Sequence, residues 1–339
     1  MSCFLNFRTF VFLLSVVLAT VFPVLSAHAD YSAHPKAKVF ISKMVDEHGF
    51  EEAQIRAWLT SAEKKQSILD AIARPAEKTK PWKDYRKIFL GQSRIDQGVE
   101  FWNENRDTLR RAASEIGVDE QIIVAIIGVE TRYGRHTGKY RVIDALSTLG
   151  FDYEPRAKFF SKELEHLFLL AREQKQDPLS LKGSYAGAMG YGQFIPSSYR
   201  AYAIDFNGDE FADIWGSPVD AIGSVANYFK RHRWQKGEVV FSRARISEAY
   251  SSDILNQKVR PHYTLNEVAG MGFTPLNTQL RGEEKVVPLL YDGEHGKEFW
   301  LGFDNYYVIT RYNRSQLYAM AVWQLSEELR YAYEQQLRK

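Results

Sequence analysis

Ile122-Ile123-Val124-Ala125-Ile126-Ile127-Gly128-Val129-Glu130 sets eight uncharged residues in a row before a carboxyl group. Asp119 just upstream is a plausible N-cap, so the run predicts a helix. With no polar face, such a helix must be buried on most sides. Glu130 then stands where its helix carries it out of water. Burial disfavours the charged form of a carboxyl group, and a protonated acid can donate to a leaving oxygen. The plainer alternative is a helix-end Glu paired with Arg132 or Arg135.

Outward from this helix, the segment from Lys36 to Glu120 keeps helical spacing. Val39, Ile41, Met44 and Val45 recur on it, as do Ile55, Trp58 and Leu59, then Val99, Trp102 and Leu109; Pro75 and Pro81 punctuate it. Pro155 opens a helix over 156–176, another covers about 219–233, and Ser315 starts a last one that runs almost to Lys339. Between Gly237 and Gly302 the texture changes to short β-prone pieces: Val239-Val240-Phe241, Val286-Val287 with Leu289-Leu290, and Phe299-Trp300-Leu301. The fold expected is mainly α (α+β): an N-terminal α domain over 30–115, a helical core over 116–236 plus 303–339, and a small β-rich insertion over 237–302.

The 339 residues are 45% hydrophobic and 25% charged, ordinary globular composition that excludes disorder and fibrous classes. Lys+Arg number 44 against 42 Asp+Glu, a net charge of +2 that argues against a nucleic-acid partner. Aromatic residues reach 14%, which suits sugar rings and ordinary cores alike. Residues 1–29 carry one charge, Arg8, an apolar run from Thr9 to Val24, and the small-residue signature Ala27-His28-Ala29. They are expected to be a cleaved signal peptide, with the mature chain starting at Asp30. Cys3, the single cysteine, falls inside that segment, so no disulfide and no lipid-bearing cysteine is expected afterwards. These features predict a soluble protein of the periplasm.

Two further stretches bear on chemistry. Gly183-Ser-Tyr-Ala-Gly187-Ala-Met-Gly190-Tyr-Gly192-Gln193-Phe194 offers backbone that a ligand can approach, or an irregular turn. Asp205-Phe-Asn207-Gly-Asp209-Glu-Phe211 sets oxygen donors at positions 1, 3 and 5, with a backbone carbonyl at 7, as a calcium loop does. Its sixth residue is Glu210 rather than Gly and its twelfth is Gly216 rather than Glu, so a solvated acidic loop is the rival; Asp220 could close a longer loop. Gly134-x-x-x-Gly138-Lys139 fails as a phosphate loop, and the scattered histidines make no zinc site.

Glu130-Thr-Arg-Tyr-Gly134, the 183–194 stretch, Val225-Ala-Asn-Tyr228 and Thr310-Arg-Tyr-Asn313 together resemble the lytic murein transglycosylase B family, over about Lys80 to Gln324. The resemblance implies a lysozyme-like core joined by an α domain and a small β domain. It implies cleavage of the β-1,4 bond between N-acetylmuramic acid and N-acetylglucosamine, leaving 1,6-anhydromuramoyl ends. The catalytic Glu would be Glu130, and glycan contacts would be Tyr85, Arg156, Ser184, Gln193, Tyr228, Tyr312, Asn313 and Tyr318. A structural Ca2+ would be held by Asp205, Asn207, Asp209, the Phe211 carbonyl and Asp220, with no cofactor for catalysis. Expected partners are peptidoglycan glycan strands, with room for cell-wall synthesis or degradation complexes, and a monomer is expected. Three positions depart from the family pattern: Pro155 replaces an arginine, Glu210 replaces a glycine, and the acidic loop is one residue longer before Asp220. A lysozyme-type hydrolase and a non-catalytic calcium-dependent glycan-binding module are the rival functions.

Overall fold

The structure, a computed structural model, describes residues 30–73, 80–280 and 282–338. The expected leader 1–29, with Cys3, and Pro75 lie outside them. Six helices come first: α1 (Pro35–Asp46), α2 (Glu52–Ser61), α3 (Gln66–Ile72), α4 (Trp82–Phe89), α5 (Gln92–Glu104) and α6 (Arg106–Arg111). The central helix α7 (Glu120–Thr131) is next, then α8 (Val142–Asp152), α9 (Ala157–Glu173), α10 (Pro196–Tyr202) and α11 (Pro218–Arg231). Strands β1 (Tyr140–Arg141) and β2 (Lys182–Gly183) form a small antiparallel pair between them.

The 237–302 region folds as an antiparallel sheet of order β4-β6-β7-β3-β5. Its strands are β3 (Phe241–Ile246), β4 (Tyr263–Thr264), β5 (Phe273–Pro275), β6 (Lys285–Gly293) and β7 (Gly296–Gly302), with helix α12 (Leu265–Gly270) between β4 and β5. Strand β3 begins at the last residue of the expected Val239-Val240-Phe241 piece. The region carries its own apolar cluster, built on Val268, Phe273, Val286 and Leu301. Helices α13 (Asp304–Tyr312) and α14 (Gln316–Leu337) return the chain to the helical body. Ser315 caps α14 as expected, its hydroxyl accepting from the Tyr318 N–H at 3.2 Å.

Ile122 to Gly128 are all buried, as a helix without a polar face requires. Helices α5, α11 and α14 pack around α7. Asp119 does occupy the N-cap position, but its carboxylate does not cap. It accepts instead from the Trp234 indole N–H at 2.8 Å and the Gly237 N–H at 3.2 Å, tying the start of α7 to the entry of the β insertion. Pro155 opens a 3-10 turn, and the α-helix proper begins at Ala157. The N-terminal segment shares one apolar cluster with the central helices rather than forming a core apart. Polar ties fix it there: Tyr31 Oη donates to Asp152 at 2.6 Å and the Glu63 N–H to Asp144 at 2.9 Å.

After α7 the backbone turns sharply. Arg132, Tyr133 and Gly134 take φ of 52°, 61° and 83°, three left-handed residues in succession. The Arg132 and Tyr133 N–H groups cap the Gly128 and Ile127 carbonyls at 3.1 and 3.2 Å. This reversal folds the Tyr133 ring back along its own helix, where it stacks on Phe101 at 5.8 Å. Gly128 makes room for it: a Cβ there would lie 2.6 Å from the ring. Gly128→Ala is therefore expected to destabilise the fold by about 1–3 kcal/mol through overpacking. That cost exceeds the roughly 1 kcal/mol by which alanine improves a helix. Urea denaturation checks the sign; a gain in stability would show that Tyr133 moves freely.

Candidate active site

Glu130 sits in the last turn of α7, half-buried, and accepts a hydrogen bond of 2.5 Å from Tyr318 Oη. Arg132 and Arg135 turn elsewhere: Arg132 donates to Gln97 at 2.8 Å and to Ser93 at 2.9 Å, and Arg135 to Glu100 at 3.2 Å. The plain helix-end ion pair thus has its cations engaged with α5. Burial first, and then the Glu130 charge, hold the Tyr318 hydroxyl well above the usual phenol range. The same two causes act on Tyr312. Both phenols therefore stay protonated at neutral pH and serve as donors. Tyr318 directs its proton at the carboxylate and Tyr312 directs its own at the Gly192 carbonyl, 2.6 Å away.

The next residue, Thr131, is fully buried and carries no sequence signal that marks it as a site residue. Its hydroxyl lies 2.9 Å from the Tyr191 carbonyl and accepts from the Gly134 N–H at 3.0 Å. One side chain thus joins the end of α7 to the turn beyond it and to the glycine-rich stretch. That stretch is a tight double reversal. Met189 and Phe194 exchange both backbone hydrogen bonds at 2.9 Å, and the Ser184 N–H donates to the Ala188 carbonyl at 2.8 Å. The Tyr191 N–H also reaches the Ile214 carbonyl at 3.0 Å. The glycines let backbone meet backbone: Gly190, at φ 66°, faces the Ile214 carbonyl. The tight turn gives the glycines of 183–194 a packing role.

The expected glycan contacts divide. Gln193 holds a left-handed conformation at φ 51°, with its amide donating to the Thr137 and Gly190 carbonyls at 3.1 Å each. Ser184 Oγ accepts from the Ala188 N–H at 3.1 Å, and Asn313 Oδ1 from the Ser315 N–H at 3.2 Å. Three of the tyrosines expected as glycan contacts are buried. Tyr85 is 1% exposed, Tyr228 7% and Tyr318 3%. Tyr228 is stacked on His232 at 4.1 Å, crossed by Tyr312 at 4.7 Å, and donates to the Arg311 carbonyl at 2.5 Å. Tyr85 packs against Phe89 and Trp82 at 5.3 and 6.4 Å. These rings are part of the main apolar core. Arg156 is exposed at the start of α9, over the rings of Phe159 and Phe160 at 4.4 and 5.0 Å.

The acidic loop closes as the spacing suggested. Oxygens of Asp205, Asp209 and Asp220 lie within 4.8 Å of one another. Asp220, fully buried on α11, accepts from the Phe206 and Asn207 N–H groups at 2.8 and 3.0 Å. Asp205 accepts from the Gly208 and Glu210 N–H groups at 2.6 and 2.7 Å. Glu210 adopts φ 71°, so it takes the left-handed turn for which this loop position usually carries glycine. The side chain costs about 1–2 kcal/mol there without altering the path. Three carboxylates held this close with only oxygen donors fit a hard divalent cation.

The chain matches the family model described as Transglycosylase SLT domain over residues 32–327. It is 46% identical over 313 residues to the membrane-bound lytic murein transglycosylase B of Escherichia coli (strain K12), covering 90% of this chain and 85% of that one. The fold is similar to the catenated lytic transglycosylase SltB1 from Pseudomonas aeruginosa, with TM-score 0.86 and 53% identity over 90% of this chain and 100% of the other. It is also similar to the Escherichia coli lytic transglycosylase Slt35 in complex with calcium, with TM-score 0.82 and 45% identity over 90% and 95% of the two chains.

Thr131→Val keeps the shape of the side chain and removes its hydroxyl. The Tyr191 carbonyl and the Gly134 N–H then lose a partner beside a buried helix end. A stability loss of about 1–3 kcal/mol is expected. The lowered melting temperature should be accompanied by faster proteolysis of the 183–194 turn. An unchanged melting temperature would show that the hydroxyl is not the fastening point.

Proposed function

The chain belongs to the transglycosylase SLT-domain family and is a peptidoglycan lytic transglycosylase, and we propose that Glu130 is its single acid–base catalyst. The carrying observation is a carboxyl group just past the buried run Ile122–Gly128, held by a protonated tyrosine. Glu130 protonates the glycosidic oxygen. Its carboxylate then takes the proton from the muramoyl C6 hydroxyl as that oxygen closes on C1. An ordinary glycosidase needs a second carboxylate to attack or to activate water. Here the nucleophile belongs to the substrate, so one carboxyl group suffices. Tyr318 orients Glu130 and supports the charged form between the two steps. Gln193, Ser184, Asn313 and Arg156 are the polar groups we assign to glycan positioning, while Tyr85, Tyr228 and Tyr312 shape the wall behind it.

The loop of Asp205, Asn207, Asp209, the Phe211 carbonyl and Asp220 is read as a structural calcium site. The relative solved with calcium supports that reading, as does the oxygen-only donor set. Calcium would tie the loop that receives Tyr191 through Ile214. No helix among the described residues is long and apolar enough to cross a membrane. With the leader-like 1–29 and its A-x-A signature, we place the mature protein in the periplasm, acting on glycan strands.

Glu130→Gln is expected to abolish release of anhydromuropeptides while glycan binding survives. General acid–base help is worth roughly 10²–10⁴-fold, and this group serves both steps. Mass spectrometry of digested murein reads the outcome; near wild-type release would overturn the assignment, and reducing ends in place of anhydro ends would mark a hydrolase.

Wild-type activity should fall as pH rises, because the first step needs the protonated acid. Tyr318→Phe removes a donor that favours the carboxylate, so the falling limb should move to higher pH. A limb that stays in place would remove Tyr318 from the mechanism.

Calcium bound to the folded state alone must raise the melting temperature by mass action. Melts in millimolar calcium and in chelator should differ, and Asp209→Ala should erase the difference. Coincident wild-type curves would count against the site.

A further inference from the structure

A groove of about 710 Å³ runs between α1 and the start of α9. Phe40 and Phe151 give it an apolar lining, and Val39 stands beside them 75% exposed. A valine left in water contributes nothing to folding. Four lysines also line the groove, against two carboxylates. Both carboxylates are already engaged, Glu154 by Lys36 and Glu165 by Lys43. Lys158 and Lys162 are exposed on α9 and, among the described residues, have no ion-pair partner within 4.0 Å.

The fold has no use for this second pair of lysines. They stand four residues apart on one helix face, where like charges repel. They also occupy the first two turns of α9, whose positive dipole end disfavours a cation. Charge set against helix stability beside exposed apolar surface suits a partner that is both anionic and apolar. A second copy of the chain would bring the same lysines, and segment 1–29 carries no charge but Arg8, so neither complements the groove. The start of the fold selects a lipid surface over an acidic protein. Tyr31 packs on Phe151 with the rings 5.5 Å apart, so the folded body begins at the groove. The apolar run of the leader ends at Val24, and extended chain from there to Asp30 spans at most about 20 Å. A leader seated in a bilayer therefore holds this face at the leaflet during export. We infer that the groove between α1 and α9 docks on an anionic phospholipid leaflet, with headgroup phosphates at Lys158 and Lys162 and Val39 at the acyl boundary.

Sedimentation of the mature protein with phosphatidylglycerol vesicles and with phosphatidylcholine vesicles tests this docking. The protein should pellet with the first and stay in solution with the second, and raised salt should release it. A lysine at an anionic leaflet strengthens binding about fivefold, so Lys158→Gln/Lys162→Gln should weaken it about 25-fold. That variant should melt no lower than the wild type; a lower melting temperature would show that the lysines serve the fold and would overturn the inference. Val39→Asp should weaken binding with both lysines in place. The charge-matched variant Lys258→Gln/Lys297→Gln, on the inserted lobe, should bind as the wild type does. A wild type that fails to pellet, equal pelleting with both lipids, or a lobe variant as impaired as the α9 variant would each refute the docking site. Binding of a short polyglutamate peptide in place of the vesicles, lost in the α9 variant, would refute it too and mark a protein-docking face. Vesicle binding needs no glycan, so its failure leaves the transglycosylase assignment standing.

Discussion

A carboxyl group must stay on a helix that water cannot reach, and that constraint organises the molecule. Ile122 to Gly128 bury every face of α7, so no face of it can be left to solvent. Neighbouring helices must therefore close around it, which is what α5, α11 and α14 do. The packing thins at both ends of α7, and in its last turn Glu130 is half-buried. The apolar run thus sets the core and the position of its one charge together.

Precision at that position comes from the reversal just past the end of α7. Three left-handed residues turn the chain back, and Thr131 pins them to the 183–194 turn. That turn is held in addition by Tyr312 at Gly192 and by the acidic loop at Tyr191. Glu130, Tyr312 and the loop of three aspartates are consequently linked by single hydrogen bonds. A disturbance in the acidic loop has a short path to the carboxyl group.

Much of this was legible in the residues. The buried helix, the carboxyl group ending it, the β-rich insertion and the spacing of the acidic donors come from local pattern. What escaped depends on contacts between distant segments. Asp119 has the right residue type for a cap, yet a Trp234 indole 115 positions away takes its carboxylate. Tyr85 and Tyr228 look like sugar platforms by type, but the chain buries both. Gly128 looks like a helix defect until the Tyr133 ring is seen folded over it. Strands β4 and β5, of two and three residues, are too short to show alternation.

The inserted lobe leaves and re-enters the helical body at nearly one point. Phe241 pairs with Gly302, and the Phe303 N–H donates to the Val240 carbonyl at 3.1 Å. A segment whose two ends are clasped like this transmits little of its own length to its host. The entropic cost of lengthening such a loop grows only with the logarithm of its size. Val287, Leu289, Tyr291 and Trp300 anchor the near half of the lobe in the main core, so length can change at low cost only in the far half, which has its own cluster on Val268 and Phe273.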